Sequence, residues 1–216
     1  IYFETSYLKT LAIIPVKTFS QAKTRLTLPK IQKEHLCKIM LEEVLRTISQ
    51  SKSIDNIAIV SKDEDAMKLG KQFGALQIYD NDQGVNTAIS LADKYLSDKG
   101  YDCSVIFPQD IPIMEPSDID NLLSFLKSSS SVIIVPSLQF NGTNALVRCP
   151  ANIMETQYDR GSYSYQLKAA KTVTQNVSIA FIRRIMLDID DDSDLQYMIK
   201  QNEKPEFIEK VSSLSS

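Results

Sequence analysis

The sequence predicts an α/β domain whose mostly parallel sheet is flanked by helices on both faces. Two observations support this prediction. Short apolar segments alternate with longer amphipathic segments through the first 136 residues, and no tight-turn signal joins neighbouring apolar segments there. Such alternation is typical of βαβ units, in which crossover helices cover a buried parallel sheet. After residue 136 the alternation becomes less regular.

The strands are predicted from short apolar runs that are bounded by polar or turn-forming residues. The first of these runs reads LAIIPV and is apolar throughout, as expected for a strand with both faces buried. The others are assigned on the same ground. The predicted strands span 11–16, 57–60, 76–79, 104–107, 132–136, 144–147 and 179–182.

The helices are predicted from apolar residues at helical spacing and from signals at helix ends. Pro29 precedes the longest of them, in which apolar residues from Ile31 to Ile48 recur at helical spacing. Asp63 and Pro116 are typical first-turn residues and start two others. The predicted helices span 30–49, 63–74, 85–97, 116–127, 162–171 and 191–201.

One domain is predicted, spanning 11–204, because neither an internal repeat nor a Pro- or Gly-rich linker divides the chain. Residues 1–10 are predicted to be an N-terminal extension outside this domain, since IYFETSYLKT is too polar for a secretory signal. Residues 205–216 end in VSSLSS and are predicted to form a polar, frayed C-terminal tail.

The composition limits the classes of function. A formal net charge of −3 argues against a general nucleic-acid binder, which needs a broad basic surface. The sequence contains no apolar run of about 18 residues, so no membrane span is predicted. The cysteines Cys37, Cys103 and Cys149 are far apart and odd in number, which favours a reducing, cytoplasmic setting. The oligomeric state stays open, with a homodimer as one possibility.

The first predicted strand runs into a basic loop, PVKTFSQAKTRL, at residues 15–26. The wider window 5–33 contains six Lys or Arg residues and no acid. In open α/β sheets, ligands bind beyond the carboxyl ends of strands, and Lys and Arg are suited to phosphate. A solvated surface loop explains Lys17, Lys23 and Arg25 about equally well at this stage. The loop is not a Walker P-loop, because the GxxxxGK[ST] pattern is absent.

Two further loops follow predicted strands. In DNDQGVNTAI, Gly84 allows a tight turn and Asn86 lies in the first helical turn, where free N–H groups can hold an anion. Taken alone, this segment is better explained as a strand–turn–helix link. In PQDIP, Asp110 follows a strand between two prolines that fix the backbone direction, so a carboxylate ligand for Mg²⁺ is favoured over an ordinary turn aspartate.

The last third of the chain carries two polar segments with glycine. Thr143 and Asn144 follow a glycine in NGTNAL and offer a hydroxyl and an amide. In DRGSYSYQLK, Gly161 and Ser164 open a predicted helix that could hold an anion, and Lys168 adds a positive charge one turn later. Each segment alone is more often a loop or a helix cap. Tyr163 and Tyr165 are the aromatic residues expected near a ligand.

The acidic segment LDIDDDSDL, residues 187–195, combines two roles. Asp192 and Asp194 are explained as a solvated cap that complements the dipole of the following helix. The DID alternation indicates a strand end with Asp188 and Asp190 on the same side. Together with Asp110, these two carboxylates would form a divalent-cation site.

His35 is the only histidine and lies at the edge of the apolar face of the first helix. A Ser-His-Asp triad and a histidine metal site are therefore excluded almost entirely. Phosphoryl or nucleotidyl transfer fits better, since it depends mainly on positioning and charge neutralisation.

Taken in order, PVKTFSQAKTRL, DQGVN, PQDIP, GTNAL, GSYSY and DIDDDSDL resemble the 2-phospho-L-lactate guanylyltransferase family. This family makes a precursor of the deazaflavin coenzyme F(420) in archaea and some bacteria. The resemblance covers residues 11–195, and its most specific parts are PVKxxxxAKTRL and GTNAL.

The resemblance implies a Rossmann-like nucleotidyltransferase fold akin to the GT-A glycosyltransferases, with GTP as donor and Mg²⁺ as cofactor. The implied acceptor is 2-phospho-L-lactate, phosphoenolpyruvate or 3-phosphoglycerate. The resemblance and the segments described above together predict four groups of site residues: catalytic Lys17, Lys23, Arg25 and Asp110; nucleotide-binding Pro15, Lys17, Lys23, Arg25, Gly84 and Asn86; substrate-binding Thr143, Asn144, Gly161, Ser164 and Lys168; metal-binding Asp110, Asp188 and Asp190.

One departure from the family pattern concerns the acceptor. Many relatives read GxxSFxxH where this chain reads GSYSYQLK, so that Tyr165 replaces Phe and Lys168 replaces His. The alternatives are another GT-A-like transferase, such as a molybdopterin or sugar-phosphate nucleotidyltransferase, and a non-catalytic nucleotide-binding regulator. The absence of a Gly-rich loop after the first strand disfavours the former, and the aspartate pair disfavours the latter.

Overall fold

The computed structural model of the chain describes residues 8–81, 83–159 and 161–215. Within these residues, seven strands form one sheet in the order β3-β2-β1-β4-β6-β5-β7. The strands are β1 (Thr10–Pro15), β2 (Asn56–Ser61), β3 (Leu76–Tyr79), β4 (Cys103–Ile106), β5 (Ser131–Pro136), β6 (Thr143–Cys149) and β7 (Val177–Ile179).

Strands β1 to β4 are parallel, whereas β6 runs antiparallel between β4 and β5. The carboxyl ends of β1 to β4 therefore meet at one edge of the sheet, together with the start of β6. The loops at this edge include 16–29, 62–63, 107–115 and 137–142, together with the described residues 80, 81, 83 and 84. This edge is where an open α/β sheet binds its ligands.

Helices cover both faces of the sheet. They are α1 (Lys30–Gln50), α2 (Glu64–Gln72), α3 (Val85–Leu96), α4 (Pro116–Ser124), α5 (Ser162–Val173), α6 (Arg183–Met186), α7 (Asp192–Gln201) and α8 (Pro205–Ser212). One buried cluster joins the sheet to α1, α2, α4, α6, α7 and α8, and a smaller one joins its other face to α3 and α5. Alternate residues of β1 enter the two clusters, as the period of a strand requires.

The α/β prediction is confirmed, and six of the seven predicted strands agree with the observed ones to within one or two residues. The predicted strand 179–182 is wrong, because β7 ends at Ile179 and residues 183–186 form the short helix α6. Residues 180–182 belong to neither element but connect β7 to α6, and Ala180 and Ile182 are buried there, so the apolar run reflects burial and not a strand. Ile31, assigned to the apolar face of the first helix, is 80% exposed.

The predicted polar tail at 205–216 is also wrong. Helix α8 begins with Pro205 and buries Phe207, Ile208 and Val211, and it packs against α1. The spacing of these three apolar residues places them on one helical face. At the other end of the chain, residues 1–7 of the predicted extension lie outside the described residues, and Thr10 already belongs to β1.

Among the described residues, none of the helices combines the length and the apolar character that crossing a membrane requires.

The packing of α8 gives a first testable prediction. Phe207 is fully buried, so Phe207→Ala is expected to lower the free energy of unfolding by about 3–5 kcal/mol. Glu209→Ala on the exposed face of the same helix is expected to change it by less than about 0.5 kcal/mol. Urea unfolding of both variants checks this, and equal midpoints for the two would contradict the packing of α8.

Candidate active site

The basic loop after β1 is held in a defined path by its own short helix and by α2. A 3-10 helix spans Phe19–Gln21, and the backbone N–H of Phe19 donates to Asp63 Oδ2 at 3.0 Å. Lys23 follows with a φ of 53°, in the left-handed region of backbone conformation that residues other than glycine rarely occupy. Buried Leu26 anchors the far end of the loop. Strained backbone of this kind is concentrated at functional sites.

The ammonium group of Lys23 contacts two carboxylates from distant parts of the chain. It donates to Asp110, in the loop after β4, and to Asp190 Oδ1 at 2.9 Å, just before α7. Its side chain is only 6% exposed. Burial alone would lower the pKa of Lys23, but the charges of Asp110 and Asp190 outweigh burial and raise the pKa above its usual range. Lys23 is therefore a permanent positive charge at the centre of the site.

Two further cations of the loop lie closer to solvent. The guanidinium of Arg25 contacts Asp190, and its side chain is 64% exposed. Burial alone would raise the pKa of Asp190, but Lys23 and Arg25 hold it below its ordinary value. The Lys17 side chain is exposed and forms no ion pair with any residue that the structure describes. The loop thus retains positive charge that is available to an anionic ligand.

The acidic segment before α7 is fixed by its own main chain. Asp191 caps α7 by accepting the N–H groups of Ser193 and Asp194, and the Asp194 carboxylate accepts the N–H groups of Asp190 and Asp191. Residues 187–191 are not part of the sheet, so the predicted strand end is wrong. The capping role predicted for Asp194 is confirmed. The cap orients Asp190 toward the basic loop.

Hydrogen bonds donated by two main-chain N–H groups join the three loops of the site. The N–H of Ile189 donates to the carbonyl oxygen of Asp110 at 3.0 Å. The N–H of Thr27 donates to the Asp192 carboxylate, at 3.2 Å and 3.3 Å to its two oxygens. Asp192 is therefore more than the solvated cap residue that the sequence indicated. It holds the end of the basic loop against α7.

Asp188 lies beside Asp110, on the side of the site that faces β6, which is called the inner side here. Asn144 on β6 donates through Nδ2 to Asp188 Oδ1 and to the carbonyl oxygen of Ile185, each at 3.0 Å. Burial, followed by the charge of Asp110, raises the pKa of Asp188 to about 6. A carboxylate whose ionisation is disfavoured by a neighbouring negative charge marks a place where a cation is stabilised.

These carboxylates fit Mg²⁺ as part of a shared site rather than as a closed protein cage. Among residues 8–81, 83–159 and 161–215, no group of three or more His, Cys, Asp or Glu side chains is close enough to hold a metal ion. Mg²⁺ is usually bound by one or two carboxylates together with substrate phosphates and water. Asp110 with Asp188 or Asp190 supplies oxygen ligands of that kind.

The site opens into a long cleft at the carboxyl edge of the sheet. A cavity of about 330 Å³ is lined by the cations of the basic loop and by Asp110 and Asp190. A second cavity, of about 340 Å³, adjoins it on the side of β3. The two cavities share four lining residues: Pro15, Lys17, Gln21 and Val85. They therefore form one continuous cleft, long enough for a ligand with an anionic end and a larger, less charged end.

The structure brings most of the predicted nucleotide-binding residues to this cleft, but Asn86 lies at its margin. Gly84 lines the second cavity. Asn86 accepts the N–H of Tyr158 at 2.7 Å and so braces the segment before α5, and its direct contact with a nucleotide stays a prediction. Tyr158 lines the first cavity, whereas the sequence had directed attention to Tyr163 and Tyr165.

Of the five predicted acceptor residues, Thr143 and Asn144 are buried, Gly161 is half-buried, and Ser164 and Lys168 are exposed. Thr143 is buried at the start of β6, and its Oγ1 lies 3.2 Å from Ser162 Oγ. Gly161 precedes α5 with a φ of 76°. Ser164 and Lys168 are exposed on α5 and line neither cavity of the cleft. Their contact with an acceptor stays a prediction.

Some residues that line the cleft were not singled out from the sequence. Gln21, Val85 and Gln109 each line at least one of the two cavities. Gln109 lies between Pro108 and Asp110, so its position in PQDIP was a usable signal. No local pattern distinguished the other two from ordinary loop and helix residues.

Residues 10–212 match the family described as "Guanylyl transferase CofC like". The chain belongs to this family. It is 31% identical to the 2-phospho-L-lactate guanylyltransferase of Methanothermobacter thermautotrophicus over an alignment of 200 residues. This alignment covers 91% of this chain and 86% of the relative. It is 29% identical to the phosphoenolpyruvate guanylyltransferase of Conexibacter woesei over an alignment of 192 residues, and this alignment covers 87% of this chain and 86% of the relative. The predicted family is confirmed.

Solved structures support the same fold at low sequence identity. A nucleotide-diphospho-sugar transferase from Desulfovibrio desulfuricans G20 superposes with a TM-score of 0.67 at 17% identity, over 96% of both chains. The 4-diphosphocytidyl-2C-methyl-D-erythritol synthase of Anaerococcus prevotii gives a TM-score of 0.62 at 12% identity, over 88% of this chain and 94% of that one. The predicted nucleotidyltransferase fold is confirmed.

The contacts of Asn144 give a prediction about the inner side of the site. Asn144 is buried, and Asn144→Ala removes donors from both Asp188 and the Ile185 carbonyl. We expect the free energy of unfolding to fall by about 1–3 kcal/mol, because two acceptors lose their buried partner. Asn152→Ala, at an exposed asparagine, is the matched control. Equal urea midpoints for the two variants would refute the role given to Asn144.

Proposed function

We propose that this protein transfers GMP from GTP to a small phosphorylated three-carbon acid and releases pyrophosphate, in the biosynthesis of deazaflavin coenzyme F(420). The observation that carries the proposal is the convergence of Lys23 and Arg25 with Asp110 and Asp190 at one cleft. The relatives named above act, by their names, on 2-phospho-L-lactate or phosphoenolpyruvate.

The cations of the basic loop are suited to hold the triphosphate of the donor. Lys17 and Arg25 are exposed at the cleft, and Lys23 is buried, with its positive charge maintained by the carboxylates of Asp110 and Asp190. Positive groups that are already positioned stabilise charge as it develops on a leaving group, because they need no reorganisation during the reaction. In this arrangement they stabilise the departing pyrophosphate.

The carboxylates provide the opposite half of the site. Asp110, with Asp188 or Asp190, would hold Mg²⁺, which when bound supplies charge neutralisation for phosphate oxygens. The hydrogen bond from Asn144 fixes the orientation of Asp188, and the cap of α7 fixes Asp190. The protein thereby holds its metal-binding oxygens in place before the donor arrives.

The reaction needs no protein base. A phosphate oxygen of the acceptor attacks the α-phosphorus of GTP, and the bond from that phosphorus to the oxygen bridging to the β-phosphate breaks. GMP becomes joined to the acceptor through a diphosphate bond, and pyrophosphate leaves with the bonding electrons. The attacking phosphate is already ionised, so no proton has to be removed. This agrees with the exposed position of His35 on α1, away from the cleft lining.

The acceptor binds next to the start of β6 and the start of α5. Thr143 and Ser162 lie next to each other there, and the adjoining Asn144 contacts Asp188. The start of α5 leaves backbone N–H groups that favour a phosphate. A small phosphorylated acid held at this point would present its phosphate to the donor.

The direct test incubates the protein with GTP, Mg²⁺ and each of 2-phospho-L-lactate, phosphoenolpyruvate and 3-phosphoglycerate. Mass spectrometry then searches for the GMP adduct, and a coupled assay measures pyrophosphate. We expect an adduct with at least one acid and none without Mg²⁺. GTP binding without an adduct on any of the three acids would refute the proposed transfer.

The role of Lys23 gives a further prediction. Lys23→Met removes the buried ammonium of the proposed triphosphate site, and we expect turnover to fall by about 100-fold or more. Because Asp110 and Asp190 lose a buried partner, the variant is also expected to be less stable, so turnover is compared at a temperature at which circular dichroism shows both variants folded. Lys38→Met, at an exposed lysine of α1, is the matched control and is expected to keep full turnover. Steady-state kinetics and far-ultraviolet circular dichroism measure both properties. Turnover of Lys23→Met equal to that of Lys38→Met would show that Lys23 has no part in catalysis.

A further inference from the structure

We propose that Lys204 is a positioning residue for Asp110, which it holds at the cleft through the backbone of the loop after β4. Lys204 immediately precedes α8 and lines neither cavity of the cleft, so it acts on the reaction through this loop and not by contact with a ligand. The inference rests on the proposed function, in which Asp110 binds Mg²⁺ together with phosphates of the donor. The sequence did not single out Lys204.

The ammonium group of Lys204 is surrounded by acceptors from the loop after β4 and from α1. It donates to the carbonyl oxygens of Pro112 and Met114 at 3.1 Å and 3.0 Å, and to Thr47 Oγ1 at 3.0 Å. Glu43 Oε1 lies 2.9 Å from Nζ, and only 16% of the Lys204 side chain and 9% of the Glu43 side chain are exposed. An ammonium has three N–H groups, so these contacts use its full donor capacity.

The loop segment that receives these hydrogen bonds is fixed at both ends. The carbonyl oxygen of Asp110, at its start, accepts the N–H of Ile189 at 3.0 Å. Met114, at its end, is fully buried and accepts from Lys204, and Pro112 between them is buried too. Protein interiors are closely packed and transmit displacements. A shift of the carbonyl groups of Pro112 and Met114 is therefore passed on to Asp110.

Loss of the ammonium gives the loop a reason to move. It takes one donor from each of two buried carbonyl groups, those of Pro112 and Met114. A buried acceptor without its partner is costly, so the loop shifts until water or another donor reaches these groups. The shift displaces the Asp110 carboxylate, which contacts Lys23 in the site. A displacement of about 1 Å that originates far from the reacting atoms can lower a rate about 100-fold.

A second effect of the ammonium has to be separated from this one, since it also balances the charge of Glu43. Lys204→Met leaves that buried carboxylate unpaired, which by itself destabilises the fold. Lys204→Met combined with Glu43→Gln leaves neither side chain charged but still removes the hydrogen bonds to the loop. Glu43→Gln alone keeps those hydrogen bonds and is the matched control. Loss of function in the double variant but not in the control therefore reports on the loop.

Isothermal titration calorimetry with a GTP analogue that cannot be cleaved between its α- and β-phosphates measures the positioning of Asp110. Each protein is titrated with and without Mg²⁺, at a temperature at which circular dichroism shows it folded. We expect Mg²⁺ to strengthen binding of the analogue to the wild-type protein and to Glu43→Gln. In Lys204→Met and in the double variant we expect this strengthening to be at least about fivefold smaller, with binding in the absence of Mg²⁺ unchanged. Turnover is expected to fall by at least about tenfold in the same two variants.

The double variant decides the outcome even if Lys204→Met does not fold. Equal strengthening by Mg²⁺ in the double variant and the wild-type protein would overturn the inference and leave the proposed function intact. The same is true of an equal loss of binding with and without Mg²⁺, which indicates general damage, and of a loss that Glu43→Gln alone reproduces. If Mg²⁺ did not strengthen binding to the wild-type protein, or if that protein formed no GMP adduct, the proposed function itself would be overturned.

Discussion

The contact of the Lys23 ammonium with Asp110 and Asp190 is the interaction on which the rest of the site depends. A buried charge is stable only when it is paired, and breaking such a pair costs several kcal/mol. The pairing therefore forces three loops to meet, although 87 residues separate Lys23 from Asp110 and 167 separate it from Asp190. Both the orientation of the basic loop and the spacing of the carboxylates follow from this one constraint.

The topology of the sheet makes that meeting possible. Because strands β1 to β4 are parallel, the loops that follow them lie at the same edge of the sheet, which is where the cleft is. The antiparallel strand β6 enters the sheet beside β4, so its first residues adjoin the same edge. This is how Asn144 reaches Asp188 and how Thr143 lies next to the start of α5. The donor and acceptor halves of the site thus come from the parallel and antiparallel parts of one sheet.

The sequence predicted those features that a single loop or strand carries by itself. Asp110 could be found because prolines fix the backbone on both sides of it, and the basic loop because it follows a strand and lacks acids. Contacts that depend on distant segments could not be found. Examples are the hydrogen bond from the Thr27 N–H to the Asp192 carboxylate and the position of Tyr158 in the lining of the cleft. Helix α8 was missed because polar residues separate and follow its three buried apolar residues, so that its end resembles a tail.

The most direct test of the account is a crystal structure of the protein with Mg²⁺ and a GTP analogue that cannot be cleaved between its α- and β-phosphates. The account predicts phosphate oxygens within about 3 Å of Lys23 Nζ or the Arg25 guanidinium, with Asp110 and Asp190 on the same side of those phosphates. Phosphates bound away from the basic loop, with Asp110 and Asp190 distant from the nucleotide, would contradict it.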